Sequence, residues 1–186
     1  MVNAHGGLSV DWIKLMKMKH FLIHLPVPRR MRLSACLCLT VSLLNVCVAQ
    51  TMPLSPYAQG DWKKLLETRG TGPLVVHFWG VTCGPCLSEM PQWGQWVAKD
   101  HGRVLFVQVD DVSQEITRNL AKKMKIDKAQ NFFVRSKFDE FLRFEIDSKW
   151  SGEIPYTVTI DKTGVQKAYS GNTNFKTLQS WLKNNS

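Results

Sequence analysis

"VVHFWGVTCGPCLSEMP", residues 75–91, sets two cysteines three positions apart at a change of pattern. On its N-terminal side the chain is a short apolar run rich in β-branched and aromatic residues, which reads as a buried strand. On its C-terminal side, Leu87, Met90, Trp93 or Gln95, and Val97 recur at roughly helical spacing up to about Asp100. The stretch therefore predicts a strand, a tight connection and a helix that begins at Cys83 and Cys86.

Three chemistries use a cysteine pair of this spacing. A structural disulfide stabilises more the longer the loop it closes, and Cys83–Cys86 closes almost nothing. A zinc site needs about four ligands. From Gln50 onward the chain offers no other cysteine, and its histidines are His77, on the strand, and His101, before Gly102 in a turn-like context. Redox exchange suits the pattern best. At a helix N-terminus the unpaired backbone N–H groups and the positive end of the helix dipole favour thiolate over thiol. Cys83 is then the attacking residue, and Cys86, one turn further in, resolves the mixed disulfide. Pro85 fits the first helical turn, where its missing N–H costs little. Neither a metal nor a cofactor is expected.

The rest of the chain alternates. After a Pro-containing lead-in over 50–60, Asp61–Arg69 reads as a short helix with Asp61 as its cap, an apolar face of Trp62, Leu65 and Leu66, and Gly70 to end it. Residues 103–111 form an apolar strand expected at the centre of a covered sheet. Ile116, Leu120 and Met124 mark one face of the following helix. "NFFVR" reads as a strand and "SKFDEFLRFEI" as a short helix. "YTVTI", the turn residues Asp161–Gly164 and "VQKAYS" make a hairpin. A last amphipathic helix carries Phe175, Leu178, Trp181 and Leu182. The order predicts an α/β domain over 61–186: a mixed sheet covered by helices, with an antiparallel hairpin at one edge.

These residues resemble the active-site stretch of the thioredoxin superfamily, and within it the exported TlpA, ResA and DsbE-like thiol-disulfide oxidoreductases. Cys83-Gly84-Pro85-Cys86 matches the thioredoxin-type motif, and Cys-x-x-Cys-x-x-Glu-x-Pro, ending in Glu89 and Pro91, matches the exported branch. The resemblance spans Asp61 to Asn185. It implies a thioredoxin-like fold with a TlpA-type insertion, supplied by 132–153. It implies that Ile154-Pro155 is the cis-proline loop facing the cysteines, with the Ile154 backbone pairing the substrate chain. Pro91 becomes the helix-kinking proline, and Trp79 packs beneath the site. Glu89 either assists proton transfer or simply serves the helix dipole. His77 stands where the superfamily carries a buried aspartate or asparagine, and is either a proton relay or a hydrogen-bonded core residue. Thr82 replaces the tryptophan that commonly precedes the first cysteine, leaving the rim less aromatic.

Charge and leader complete the expectations. The formal charge is +9, but six of the 24 basic residues fall in the first 32 positions, and from Gln50 onward the balance is 18 basic to 14 acidic. That is an ordinary surface, with no stripe for nucleic acid. Arg29, Arg30 and Arg32, the apolar run 33–48 and a small residue before Gln50 form a secretory-signal pattern within a leader over 1–49. Cleavage is expected after Ala49, and residues 1–17 or 1–30 read as a start-site artefact or an extended basic region. An uncleaved anchor is the alternative, the apolar run being somewhat short of the ~20 residues a bilayer needs. Leu33–Cys36 has a lipobox pattern but no apolar run upstream, and Leu44–Cys47 has the run but Asn45 and Val46 fit the small positions poorly, so Cys36, Cys38 and Cys47 are expected to leave with the leader. The resemblance then implies an exported or periplasmic, monomeric reductase of protein disulfides, recharged by a membrane electron donor of the DsbD/CcdA type, with cytochrome c biogenesis among the roles of such proteins. The alternatives are a redox-inactive binding module or chaperone, and a thiol peroxidase.

Overall fold

The computed structural model describes residues 52–99 and 103–186. The leader, with Cys36, Cys38 and Cys47, and His101 lie outside the described residues. Six strands and five helices alternate among those described: β1 Leu54–Tyr57, α1 Asp61–Thr68, β2 Leu74–Trp79, α2 Gly84–Ala98, β3 Val104–Gln108, α3 Gln114–Lys123, β4 Gln130–Val134, α4 Glu140–Ile146, β5 Tyr156–Ile160, β6 Gln166–Ser170 and α5 Phe175–Asn185.

The strands form one mixed sheet in the order β1-β4-β3-β2-β5-β6. β1, β4, β3 and β2 run parallel, while β5 is antiparallel to both β2 and β6. β2, β3 and β5 are buried at every position, as expected of strands covered on both faces.

Alternation along β2 assigns its side chains to two cores. Leu74, Val76 and Phe78 point to the layer of α1 and α4, where Trp62, Leu142, Ile146 and Trp150 pack. Val75 and Trp79 point to the layer of α2, α3 and α5, with Cys86, Met90, Trp93, Ala121 and Leu178. His77 has the parity of Val75 and Trp79, and so faces α2.

Several expectations are corrected. The lead-in is not irregular: Leu54–Tyr57 pairs with Asn131–Val134 as an edge strand, and its two prolines, Pro53 before it and Pro56 within it, are tolerated at an edge. Asp61 is not the cap of α1. Gly60 holds that position, and the Asp61 carboxylate accepts from the Ala58 N–H at 2.9 Å. The buried stripe of α3 is Thr117 and Ala121, with Leu120 and Met124 half-buried, whereas Ile116 is 50% exposed. On α2, Gln95 is exposed and Gly94 and Trp96 are buried in its place.

Candidate active site

Cys83 is the N-cap of α2. Its φ of −86° and ψ of 104° are extended, its carbonyl accepts the first helical bond from Leu87 N–H, and its Sγ accepts the Cys86 N–H at 3.1 Å. The sulfur thus occupies the place a serine oxygen takes at a common N-cap, facing unpaired helix donors. Cys83 and Cys86 are joined as a disulfide. Cys83 is half-buried and Cys86 is fully buried. Gly84 and Pro85 form the exposed first turn between them.

The loop before the helix is pinned from β3. Asp110, just past the strand, accepts from the Thr82 N–H at 2.9 Å and from the Thr82 hydroxyl at 3.1 Å. Gly80 passes so close to this carboxylate and to Ile154 that a Cβ there would lie 2.7 Å from Asp110 Oδ1 and 2.9 Å from Ile154 Cδ1. Thr82, a departure in the sequence, is therefore the residue that fastens this loop.

Opposite stands the Ile154-Pro155 peptide, which is cis, with the Ile154 carbonyl oxygen 3.6 Å from Cys83 Sγ. The segment after β6 ties this loop to the helix. Gly171 N–H donates to the Pro155 carbonyl at 2.9 Å, Asn172 Nδ2 to the Pro85 carbonyl at 3.3 Å, and Thr173 N–H to Glu89 Oε2 at 2.6 Å.

Glu89 lies one turn beyond Cys86 on the same helix, and is 3% exposed. It is not a solvated carboxylate. Besides Thr173 it accepts from Trp93 Nε1 at 3.3 Å, and His77 Nε2 lies 3.1 Å from its Oε1. That last pair meets off the line a straight hydrogen bond requires, so it acts as a close electrostatic contact. His77 itself is fully buried. Its Nδ1 is 2.9 Å from Thr157 Oγ1, directly across the β2–β5 pairing, and its ring packs 4.7 Å from Trp93 and 5.9 Å from Phe106.

Burial sets the titration of this pair. It holds the His77 imidazole below its ordinary 6.5, and Glu89 only partly opposes that. For Glu89, burial pushes the carboxyl upward, but His77, the Thr173 N–H and the Trp93 N–H together outweigh it and hold the group below the usual carboxylate range. The arrangement is a neutral imidazole beside an ionised carboxylate, both enclosed, with the carboxylate one helical turn beyond Cys86.

The structure thus brings together Cys83, Cys86, Gly84, Pro85, Glu89, His77, Ile154 and Pro155. Trp79, buried with Cys86, packs beneath them, and Pro91 lies inside α2. Sequence reading missed Asp110, Thr157, Thr173 and the Trp93 contact. Asp110 comes in through the β2–β3 pairing, Thr157 through the β2–β5 register and Thr173 through the folding of the 171–173 segment onto α2, none of which leaves a local sequence signal; the Glu89–Trp93 pair is spaced i, i+4 on one helix, a signal the sequence did carry.

No family model matches the chain, and no curated protein sequence matches it. Solved structures with the same architecture include the exposed lipoprotein thioredoxin Etrx1 of Streptococcus pneumoniae, with a TM-score of 0.50 and 18% identity over 64% of this chain and 89% of that one. A secreted thiol-disulfide isomerase of Corynebacterium glutamicum superposes with a TM-score of 0.50 and 19% identity, covering 62% and 71%. A thiol:disulfide interchange protein of the thioredoxin family from Chlorobium tepidum gives 0.50 and 20%, covering 62% and 80%. At such identities the likeness speaks to architecture: the chain has a thioredoxin-like α/β fold.

Proposed function

We propose that the protein is an exported thiol-disulfide oxidoreductase that reduces protein disulfides through Cys83 and Cys86. The observation that carries this reading is the asymmetry of the pair. One sulfur is half-exposed at a helix mouth, the other is fully buried, and one turn further along the same helix a buried carboxylate meets an imidazole. A structural clip needs neither the exposure nor the buried acid.

In the reduced protein the Cys83 thiolate attacks a substrate disulfide, forming a mixed disulfide and releasing one substrate thiolate, which takes up a proton. Cys86 then loses its proton, its sulfur attacks Cys83 Sγ, and the second substrate thiol departs. The balance is one substrate disulfide reduced and one Cys83–Cys86 disulfide formed. Recharging runs the same exchange backward with a dithiol donor, for which a membrane protein of the DsbD/CcdA type is the candidate. The substrate strand lies along the Ile154 backbone, beside the attacking sulfur. Glu89 handles the proton of Cys86, and His77 supports it.

The reductase direction rests on the Cys-Gly-Pro-Cys motif, and export on the leader, with cleavage after Ala49. The 132–153 segment, which contributes part of β4 and all of α4, fits a TlpA-type insertion. Titration in a redox buffer tests direction: a potential near that of thioredoxin, about −270 mV, supports a reductase, and one near −120 mV overturns it. Cys86→Ala is expected to accumulate mixed disulfides with its substrates. Insulin-disulfide reduction that persists in Cys83→Ala would refute the mechanism, and thiol-dependent peroxide consumption would favour a peroxidase. N-terminal sequencing of the protein recovered outside the cytoplasm tests the leader.

A further inference from the structure

The buried His77–Glu89 pair has a further neighbour on β5. His77 Nδ1 meets Thr157 Oγ1 at 2.9 Å, and that oxygen lies 3.3 Å from Thr173 Oγ1. Thr157 and Thr173 both line a cleft of about 160 Å³ between β5, β6 and the N-terminal part of α5, along with Ser170, Asn172, Thr177 and Trp181. That is many times the space one water needs, and the lining offers the polar partners that hold water in place. Thr157 is buried and Thr173 half-buried, so the two hydroxyls step from the closed interior to the surface. Among the described residues, no Asp, Glu, Lys, Arg or His lines the cleft.

We propose that Thr157 and Thr173 form a rear proton path, joining the His77–Glu89 pair to solvent in this cleft while a partner protein covers the cysteine mouth. The proposal rests on the oxidoreductase reading. Its physical need is plain in the recharging step. A donor thiolate attacks Cys83 Sγ, the new S–S bond forms, and the Cys83–Cys86 bond breaks, with Cys86 leaving as thiolate with the electron pair. Cys86 is fully buried, and a docked donor closes the front. An unpaired buried anion is costly, so a proton has to reach it.

The chain of atoms supplies one proton for one. Water in the cleft gives a proton to Thr173 Oγ1, whose own proton passes to Thr157 Oγ1. The Thr157 hydroxyl proton moves to His77 Nδ1; the Nε2 proton crosses the 3.1 Å to Glu89 Oε1 once the ring turns onto that line, and Glu89 protonates Cys86. The resolving attack runs the same chain outward. Both threonines are positioning residues, acting through His77 and Glu89 and never touching the reacting sulfurs.

The test compares Thr157→Val, Thr173→Val, their double variant and the corresponding serine variants in the full chain. Two quantities are read: solvent exchange of the His77 ring proton in the oxidised protein by ¹⁵N NMR, and the single-turnover rate of disulfide opening by a protein dithiol donor, thioredoxin serving as probe. Thr173→Val retains both the main-chain N–H bonded to Glu89 and the Thr157 partner of His77, so it separates the hydroxyl from the fold. Each valine variant is expected to slow both quantities by about tenfold or more. The double variant is expected to be no slower than the slower single one, and serine to restore both. Exchange at the wild-type rate in both valine variants overturns the path, as does slowed exchange with an unchanged turnover. A wild-type protein whose cysteines do not cycle overturns the oxidoreductase reading, and is recognised independently of the exchange rates.

Discussion

A carboxylate 3% exposed, accepting from a backbone N–H and an indole N–H with an imidazole at 3.1 Å, is kept below the usual carboxylate range by those partners; on the proposed function it also carries the proton of Cys86. Glu89→Gln keeps the shape but neither ionises nor carries a proton. It is expected to slow resolution of the mixed disulfide by about 10²-fold, at the low end of general acid–base effects, while the initial attack by Cys83 is unchanged; rapid-quench trapping of the two steps checks this. On the proposed function, Asp110 bears on the other sulfur through its neighbour. Its carboxylate fastens Thr82, the residue immediately before Cys83, and places a negative charge near the nucleophile. Asp110→Asn keeps an acceptor for the Thr82 N–H and removes the charge, so the Cys83 thiolate becomes easier to form. Ultraviolet titration of the reduced protein is expected to show a lower thiol pKa, and a higher one would refute the assignment.

At the scale of elements, α2 carries the site and its seating against α3 fixes it. Gly94 makes that seating: a Cβ there would collide with the Met124 carbonyl oxygen at the C-terminal end of α3, which is backbone and has no rotamer to yield. Gly94→Ala is expected to cost about 1–3 kcal/mol by overpacking, read as a lower urea midpoint with an unchanged slope. The α2 and α3 faces also mark where sequence reading succeeds and fails. Cys83 as the start of α2 was legible, because a strand's apolar run gives way there to helical spacing. Ile116 was misread because an i, i+4, i+8 series identifies a stripe without saying how the helix is rotated; Thr117 and Ala121, small enough to let α3 approach the sheet, are what it buries. β1 was missed because a four-residue edge strand bearing a proline lacks any periodicity of its own, and exists only through its pairing with β4.

For the whole molecule, the buried pair ties stability to pH. His77 and Glu89 both titrate below their ordinary values when folded. In the window between the folded and unfolded values the unfolded chain binds more protons, so acid favours unfolding. Stability is therefore complete above about pH 6.5, declines as pH falls below that value through His77, and declines further below about 4.3 through Glu89. Urea unfolding of the oxidised protein between pH 7 and 4 is expected to show this fall. In His77→Asn the part between about pH 6.5 and 5 is expected to flatten; a slope identical to wild type would place the acid sensitivity elsewhere.

By itself the sequence determined the strand-to-helix change at 75–91, the cysteine pair at a helix mouth and the α/β order, because each is written in local periodicity, spacing or turn chemistry; Ile154-Pro155 as the facing loop followed only from the resemblance of the cysteine motif. The tertiary structure alone decided which partners Glu89, His77 and Thr82 meet. Glu89 reads locally as a first-turns carboxylate, and only the 171–173 segment folding over α2 buries and bonds it. His77 acquires Thr157 through a cross-strand register set some 80 positions away. Thr82 acquires Asp110 because β3 lies beside β2. A side chain's proton affinity and partners depend on which groups exclude water from it, and those groups come from distant parts of the chain.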